Sequence, residues 1–292
     1  MAKGLREINS RIKSVKSTAQ ITKAMQLVAS SKMKRAQDAA LAGRDYGRLL
    51  TDILESALHN LGTDYAHPLL EPREVKARGI LLVTTDKGLC GPLNSNLFRL
   101  LNDIPASAKF VAIGRKGAQH IARAGRTLLA DFAISDRVNF SEVRAVGEYL
   151  IKQYLEHRID TLEILFPRFK NTLVQEPVLQ PVLPLANIRT LAASSHSADG
   201  TDAARRDTRE MAFEPSATDI LGQLPALFFK HTLYHALLEA KASEHSARMV
   251  AMKAATDNAK KITESLTLDY NKARQAAITQ EINEITAAVF VK

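Results

Sequence analysis

Apolar and polar positions follow two different periods along this chain, and the change of period divides it into three parts. From residue 3 to residue 60 there is no proline, and in the first half of this stretch apolar or small residues recur at alternating spacings of three and four. The positions of this ladder are Leu5, Ile8, Ile12, Val15, Ala19, Thr22, Gln26, Ala29 and Met33. A heptad ladder predicts a long helix, here residues 1–62, that packs along one seam against another helix. Gly43 and Gly47 weaken this helix, and Gly62 and Pro68 end it.

A second apolar line runs beside this seam and consists of Ile21, Met25 and Val28. Two interpretations fit this line equally well. Either the middle of the helix is enclosed on more than one side, or the helix presents a wider face to its own core. Both interpretations require another surface to cover the helix at this point.

The C-terminal residues 216–292 predict a helix that is longer still. No glycine or proline follows Gly222 and Pro225, and Pro225 predicts a kink soon after the start. Ser216 and Asp219 form a capping-box-like pair for the first turn. The apolar stripe of this helix is Ala259, Ile262, Leu266 and Tyr270, followed by Ile278, Ile282, Ile285 and Val289. One stripe on so long a helix predicts a partner helix.

Residues 75–188, between the two helical parts, alternate between strand and helix patterns and predict a small α/β domain. The predicted strands are Gly79–Thr84, Lys109–Ile113 and Thr161–Phe166. The predicted helices are Leu93–Leu101, Lys116–Ala124 and Ser141–Glu156. Three prolines make Asn171–Leu185 an edge strand or an extended connection. Residues 189–214, rich in Ser, Ala and Asp, are predicted to be a mobile loop.

The predicted fold class is therefore α/β, with a long antiparallel coiled coil of the N- and C-terminal helices and a small central α/β (Rossmann-like) domain. Two long helices whose seams both need a partner pair most economically with each other. The C-terminal helix is the longer one, so its last turns should extend past the N-terminus of the chain. From Gln275 to Val291 the only charged residues are Glu281 and Glu284, so we expect another surface to enclose this apolar tip.

Charge is concentrated at the N-terminus. The 292 residues carry a formal net charge of +9, and 46% of them are hydrophobic, which is typical of a folded domain with a sizeable core. Within the first 35 residues Glu7 is the only acid among the basic residues Lys3, Arg6, Arg11, Lys13, Lys16, Lys23, Lys32, Lys34 and Arg35. Such a helix predicts an acidic partner, whether nucleic acid, anionic lipid or a carboxylate-rich protein. The sequence has no run of eighteen apolar residues and no hydrophobic signal segment, so we expect a cytosolic site of action, which includes a membrane surface.

The most conspicuous loop is Thr84–Asn96, TTDKGLCGPLNSN, which connects the first predicted strand to a helix. Gly88 and Gly91 permit tight turns, Asn94 or Ser95 would cap the helix, and a loop of this kind can hold an anion. The loop lacks the glycine and lysine spacings of mononucleotide and dinucleotide sites. A structural turn or a protein contact is therefore favoured over phosphate binding.

No cofactor, metal site or catalytic residue is predicted. Cys90 is the only cysteine, which excludes an intrachain disulfide, and no neighbouring sequence supplies a base that would make it a nucleophile. His231 and His235 lie four residues apart on one helix face, but no third ligand follows in the H-E-x-x-H arrangement. No segment of the sequence is typical of an active site, and an enzyme with a nucleotide pocket in the central domain is the least favoured class of protein.

Several segments resemble those of a known family. They are ITKAMQLVASSKMKRA at Ile21–Ala36, TTDKGLCGPLNSN at Thr84–Asn96, SEHSARMVAMKAATDNA at Ser243–Ala259 and YNKARQAAITQEINEI at Tyr270–Ile285. In this order they resemble the signature segments of the ATP synthase gamma subunit family of the bacterial type, the central rotor shaft of the F1 motor. FEPS at Phe213–Ser216 is also similar to the family.

The resemblance implies a non-catalytic rotor stalk that couples proton-driven rotation of the membrane c-ring to conformational change at the catalytic sites of the beta subunits. Its partners would be three alpha and three beta subunits around the coiled coil, with the epsilon subunit and the c-ring at the α/β domain. The site of action would be the cytoplasmic face of the bacterial inner membrane, as a peripheral protein. With Cys90 alone, the chain cannot have the dithiol switch of the chloroplast form.

The resemblance also implies roles for individual residues. Lys23 and Met25 match motif positions near the acidic lever loops of the beta subunits. The positions that match beta-subunit contacts on the C-terminal helix are Arg248, Gln275, Thr279 and Glu281. The central loop would belong to the foot of the rotor, with the matching residues Asp86, Lys87, Gly88, Cys90 and Gly91.

Two other classes of protein would explain the basic helix. A nucleic-acid-binding coiled coil would bind phosphates with a steep dependence on salt. A peripheral membrane protein would use the helix on anionic lipid, but the seam residues Ala19, Thr22 and Gln26 are poor for lipid insertion. The family resemblance favours a protein partner and no nucleic acid.

Overall fold

The computed structural model describes residues 2–61, 67–185 and 217–290, which form two compact units. The coiled-coil unit contains Met1–Ser30 and Arg248–Lys292, and the sheet unit contains Ser31–Ala247. The predicted loop at 189–214 and the side chains of the predicted capping pair at Ser216 and Asp219 lie outside the described residues.

Helix α1, Ala2–Ala42, has the seam that the heptad ladder predicts. Every ladder position from Leu5 to Met33 is buried or half-buried, and most positions between them are exposed. The seam side therefore faces another surface along the whole ladder, as a period of three and four requires.

The long C-terminal helix, Ala217–Phe290, runs through Pro225 without a break. We number it α6 because it is the last of the helices described below. Its seam differs from the predicted stripe, because Ile262 is 50% exposed and Thr263 takes the seam position. The seam residues in the coiled-coil unit are Met252, Thr256, Ala259, Thr263, Leu266, Tyr270, Ala273 and Ala277. The prediction was wrong at Ile262 because the buried stripe steps from Ala259 by four residues to Thr263, and not by three residues to Ile262.

The two seams fit each other in an antiparallel direction. Thr22 Oγ1 lies 2.7 Å from Thr256 Oγ1 across the helix pair. On α1 the seam residue that follows Thr22 is Gln26, four residues later. On α6 the seam residue four residues from Thr256 is Met252, which comes before it in the chain, so the spacings match when the helices run in opposite directions. A parallel pair would instead place Gln26 opposite the exposed Lys260. The predicted antiparallel coiled coil with a separate α/β part is thus confirmed.

In the sheet unit, the described residues form one five-stranded sheet of order β3-β2-β1-β4-β5. The strands are β1 Arg78–Val83, β2 Lys109–Ile113, β3 Thr127–Phe132, β4 Thr161–Phe169 and β5 Gln175–Leu183. Strands β1 to β4 pair in parallel, and β5 pairs antiparallel with β4 at the edge that its prolines predict. Strand β3 was not predicted from the sequence.

Helices cover both faces of this sheet. On one face α3, Leu93–Leu100, and α4, Arg115–Arg123, pack on a core that includes Ile80 and Phe110. On the other face α2, Arg44–Leu61, α5, Phe140–Leu155, and the first turns of α6 share a larger core. This arrangement is the three-layer packing expected when parallel strands are joined by helices.

Helices α1 and α2 are separated at Gly43, where the sequence predicts one weakened helix. The imidazole of His235 explains why position 43 is a glycine, because a Cβ there would lie 3.0 Å from the ring. His235 Nε2 also lies 3.2 Å from the carbonyl oxygen of Gly43, so that nitrogen donates and the carbonyl accepts. A side chain at position 43 would therefore displace the imidazole.

Candidate contact surfaces

The first candidate surface of the coiled-coil unit surrounds Lys23 and Met25 on α1. Lys23 is exposed, with Nζ 3.5 Å from Gln26 Oε1, and Met25 is half-buried. Ile21 and Val28, on either side of Met25, are 58% and 55% exposed. Their exposure favours enclosure of this segment by a partner over a wider internal core face.

Basic side chains without an acidic partner extend this surface along α1. Among the described residues, Arg6, Arg11, Lys13 and Lys16 make no ion pair. Lys32, in the sheet unit, differs because it forms a hydrogen-bonded ion pair with Asp136. The predicted need for an acidic partner therefore applies to the first turns of the helix and not to Lys32.

Arg248 belongs to the same level of the coiled coil as Lys23 and Met25. The antiparallel register defined by Thr22 and Thr256 places Met25 opposite Lys253, five residues from Arg248. At 1.5 Å per residue this separation is about 8 Å along the helix axis. Arg248 is half-buried.

Gln275, Thr279 and Glu281 form a second level near the end of α6, and all three are exposed. Thr279 Oγ1 donates to the carbonyl oxygen of Gln275 at 3.0 Å, so these two residues are joined. Gln275 follows Arg248 by 27 residues, which is about 40 Å along a helix. The six predicted contact residues are therefore not one site, and the spacing of Arg248 and Gln275 on one predicted helix already indicates this separation.

An apolar stripe accompanies the second level. Ile278, Ile282 and Ile285 are spaced by four and three residues and are 45%, 56% and 65% exposed. In the register of Thr22 with Thr256, Leu5 of α1 lies opposite Ala273, so the first residues of α1 lie near Ala277. The stripe therefore lies on the part of α6 that extends past the N-terminus, as predicted.

In the sheet unit, the loop between β1 and α3 is held by its own side chains. Asp86 Oδ1 accepts from the backbone N–H of Arg115 at 3.0 Å, and Thr85 Oγ1 donates to the carbonyl oxygen of Lys87 at 2.8 Å. Gly91 has a φ of 59°, which is a conformation that glycine adopts without strain. Lys87 and Gly88 are exposed at the outer side of the loop.

Asn94 binds inside this loop instead of capping α3. Its Nδ2 donates to Thr85 Oγ1 at 2.7 Å and lies 3.7 Å from Cys90 Sγ. The residue before α3 is Pro92, which makes no capping hydrogen bond through its side chain. The predicted cap by Asn94 or Ser95 is therefore wrong, because α3 begins at Leu93 and both residues lie inside its first turn.

The single cysteine and the histidine pair both lie in packed surroundings. Cys90 is buried in a small cluster with Leu93 and Ala247. The rings of His231 and His235 are 4.6 Å apart and both residues are buried. Among the described residues, no group of three or more His, Cys, Asp or Glu side chains is placed to hold a metal ion. None of the described helices is long and apolar enough to span a membrane.

One charged cluster in the sheet unit was not predicted from the sequence. The carboxylate of Asp136 forms an ion pair with Lys32, and its Oδ1 lies 4.0 Å from Lys241 Nζ. Lys241 Nζ also lies 3.3 Å from Glu244 Oε2. The hydrogen bond from Lys32 holds the pKa of Asp136 below its ordinary value, and the charges of Lys241 and His245 act in the same direction. Because the partners are far apart in sequence, no local pattern could have identified them.

The chain was compared with known families and proteins. It matches the model of a family described as ATP synthase over residues 4–289. The ATP synthase gamma chain of Opitutus terrae is 54% identical over 287 residues, which cover 98% of this chain and 97% of that protein. The ATP synthase gamma chain of Methylacidiphilum infernorum is 40% identical over 291 residues, with 98% of each chain covered.

Solved structures show a similar fold. A chain of the Euglena gracilis mitochondrial ATP synthase, OSCP/F1/c-ring, rotational state 3, superposes with a TM-score of 0.68 at 16% identity and covers all of this chain and 95% of its own length. A chain of the central stalk/c-ring of the Tetrahymena thermophila mitochondrial ATP synthase superposes with a TM-score of 0.59 at 25% identity. That match covers 80% of this chain and 99% of the other.

Proposed function

This chain belongs to the ATP synthase gamma chain family, the central-stalk subunit of that enzyme, and from this premise we propose that it is the rotor shaft that couples c-ring rotation to the catalytic sites. One observation carries the proposal. Apolar side chains such as Ile21, Val28 and Ile282 are exposed on a two-helix coil whose seam is already filled. Residues of this kind are expected where a surrounding protein encloses the coil.

The partners follow from this surface. The coiled-coil unit lies within a ring of three alpha and three beta subunits, and the carboxylates of the beta lever loops face the unpaired cations Arg6, Arg11, Lys13 and Lys16 as well as Lys23. The sheet unit contacts the epsilon subunit and the c-ring. Through the c-ring the chain is a peripheral protein at the cytoplasmic face of the bacterial inner membrane.

Coupling needs no catalytic residue in this chain. A two-helix coil is not circular in cross-section, so each orientation brings a different set of side chains to each beta subunit. Lys23 and Arg248 at one level, and Gln275, Thr279 and Glu281 at the other, lower the free energy of one rotor orientation relative to the next. Rotation then changes the nucleotide affinity of the beta sites, because two linked equilibria shift each other by the same free energy.

The subunit stoichiometry of the native complex tests this function. The tagged chain is purified from native membranes and the intact complex is weighed by mass spectrometry. We expect one copy of the chain with three copies each of two ATP-binding subunits. A lone chain carrying nucleic acid that dissociates at high salt would contradict the proposal and indicate a phosphate-binding helix.

A further inference from the structure

A buried pair of hydroxyl groups joins the two helices of the coiled-coil unit. Thr22 and Thr256 are 8% and 4% exposed, and their Oγ1 atoms lie 2.7 Å apart. Each oxygen also lies close to a carbonyl four residues earlier, at 3.0 Å for Thr18 and 2.8 Å for Met252. A hydroxyl has one proton, so one threonine donates across the pair while the other accepts and donates to its own helix.

The other layers of the seam agree with the register that this pair defines. Counting outward from Thr22 and Thr256 places buried or half-buried residues opposite each other in every layer toward the tip. These layers are Ala19 with Ala259, Val15 with Thr263, Ile12 with Leu266, Ile8 with Tyr270 and Leu5 with Ala273. The layer next to the threonines contains two alanines, Ala19 and Ala259, and the layers farther out contain larger side chains.

Seam composition alone does not forbid a slip of seven residues. In one direction Thr22 would face Met249 and Thr256 would face Val15, and in the other Thr22 would face Thr263 and Thr256 would face Ala29. Because the seam repeats every seven residues, the seams of the two helices still face each other after such a slip. Most apolar contacts would then be replaced by other apolar contacts. The first slip leaves both threonines without a hydroxyl partner, whereas the second gives Thr22 a new one at Thr263. The hydroxyl pair therefore favours the native register over the first slip, which the apolar layers do not.

We propose that Thr22 and Thr256 are positioning residues that fix the axial register of the coiled coil. This inference rests on the proposed function where it concerns coupling. Thr22 is adjacent to Lys23 on α1, and Thr256 lies two turns from Arg248 on α6. A slip of seven residues would displace these two contact residues relative to each other by about 10 Å, so one orientation of the rotor could no longer engage both.

Disulfide trapping in the full-length chain measures the register directly. In a Cys90→Ala background, Ala19→Cys is combined with Ala259→Cys to report the native register, or with Leu266→Cys or Met252→Cys to report the two slipped registers. A disulfide forms readily only when the Cα atoms are within about 7 Å, so each pair reports one register. We expect the native pair to dominate in the parent chain.

Replacing the hydroxyl should change the ratio of slipped to native cross-links. Thr22→Val and Thr256→Val each keep the shape of the side chain and remove the cross-helix hydrogen bond. Either should therefore raise the ratio of the cross-link between positions 19 and 252 to the native cross-link about two- to tenfold, the range expected for one buried hydrogen bond. Thr22→Ser keeps the hydroxyl and should restore the parent ratio. Circular dichroism of each variant verifies that the helices are retained.

Thr263→Val is the matched control. Thr263 is also a seam threonine and bonds to the carbonyl of Ala259 at 2.8 Å, but it faces Val15 and no hydroxyl. The register claim is overturned if Thr22→Val and Thr256→Val leave the ratio unchanged, or if Thr263→Val raises it equally.

Proton pumping then tests the link to coupling. In membranes that contain the assembled complex, Thr22→Val should lower the protons pumped per ATP hydrolysed, and Thr263→Val should not. An unchanged pumping ratio with shifted cross-links would refute the link to coupling and leave the register claim supported. If no complex with ATP-binding subunits forms even in the parent, the proposed function fails, while the cross-link result still decides the register.

Discussion

Asp160 shows how one residue holds a strand entrance in place. Its Oδ2 accepts from the backbone N–H groups of Lys76 and Ala77 at 3.0 and 2.8 Å, just before β1 begins. Burial by itself would raise the pKa of Asp160, but these hydrogen bonds, with the charges of Arg73 and His157, bring the pKa below its ordinary value. The ionised carboxylate is therefore favoured in the folded chain.

Asp160→Asn should lower the free energy of unfolding of the isolated chain by about 1–3 kcal/mol at pH 7. Because the folded pKa is depressed, the contribution is complete above the unfolded-state pKa of about 3.9 and is lost as the pH falls through the folded pKa. The difference between parent and variant should therefore shrink below about pH 4. Urea unfolding at several pH values measures it.

Asp103→Asn is the control for this experiment, because Asp103 is exposed. It should leave the free energy of unfolding unchanged across the same pH range. A pH-independent difference between Asp160→Asn and the parent would show that the carboxylate charge is not what stabilises the strand entrance.

Gly114, between β2 and α4, is required by both space and backbone conformation. Its φ is 93°, and a Cβ at this position would lie 2.3 Å from the carbonyl oxygen of Thr84. Gly114→Ala should destabilise the isolated chain by about 2–5 kcal/mol, from left-handed strain and overpacking together. Gly125 also has a positive φ, of 65°, but a Cβ there would meet no described atom within 4 Å.

Gly125→Ala should therefore cost only the left-handed strain of about 1–2 kcal/mol. Urea unfolding of the two variants measures both values. Equal costs at the two positions would show that the contact with Thr84 relaxes and that only the backbone conformation requires glycine at Gly114.

At the scale of the element, the sequence predicts α1 better than α6. The α1 ladder contains Leu5, Ile8, Ile12 and Val15, whose side chains mark the seam without reference to a partner. The α6 seam contains small and polar residues, and the position beside Ile262 was taken by Thr263. Whether the seam steps by three or by four residues after Ala259 depends on which sides of the two helices face each other, and a single sequence does not show this.

Strand β3 was missed for a related reason. Its residues Thr127–Phe132 lie at the sheet edge, and all of them are exposed or half-buried. An edge strand does not need a continuous apolar run, whereas β1 and β2 do because both of their faces are covered. The interior strands could therefore be predicted from their apolar runs and the edge strand β5 from its prolines, whereas β3 has neither signal.

Met25→Lys tests the first contact surface on α1. Met25 is half-buried between the exposed residues Ile21 and Val28, so a lysine there places a second cation beside Lys23 without disturbing the seam. In native membranes we expect the complex to assemble at the parent level and to pump fewer protons per ATP hydrolysed. The reason is that the new charge binds the acidic lever loops in more than one rotor orientation.

Thr18→Lys provides the positional control. Thr18 is exposed and lies seven residues before Met25, on the same side of α1. It should lower the pumping ratio less than Met25→Lys does, because Thr18 already lies between the two cations Lys16 and Lys23. If Met25→Lys pumps as well as the parent, or if Thr18→Lys loses as much, the surface around Met25 has no special role in coupling.

At the scale of the whole molecule, the two units differ in how they are stabilised. The sheet unit has two cores with fully buried residues such as Leu81, Phe110 and Leu150. The coiled-coil unit has a single seam whose central layers are alanine and threonine, and its other sides expose Leu27, Ile262 and Leu268. Small seam residues bury little apolar area, so the coiled-coil unit should have the lower stability when the chain is alone.

Amide hydrogen exchange measures this difference in the isolated chain and in the intact complex. Peptides from the coiled-coil unit should exchange about tenfold or more slowly in the complex, because a partner that binds only the folded helices suppresses their opening. Peptides from β1 serve as the internal control and should exchange at the same rate in both samples, since this strand is already buried in the lone chain. If the coiled-coil peptides exchange equally in both samples, the exposed apolar residues are not enclosed by partners and the rotor-shaft proposal loses the observation that carries it.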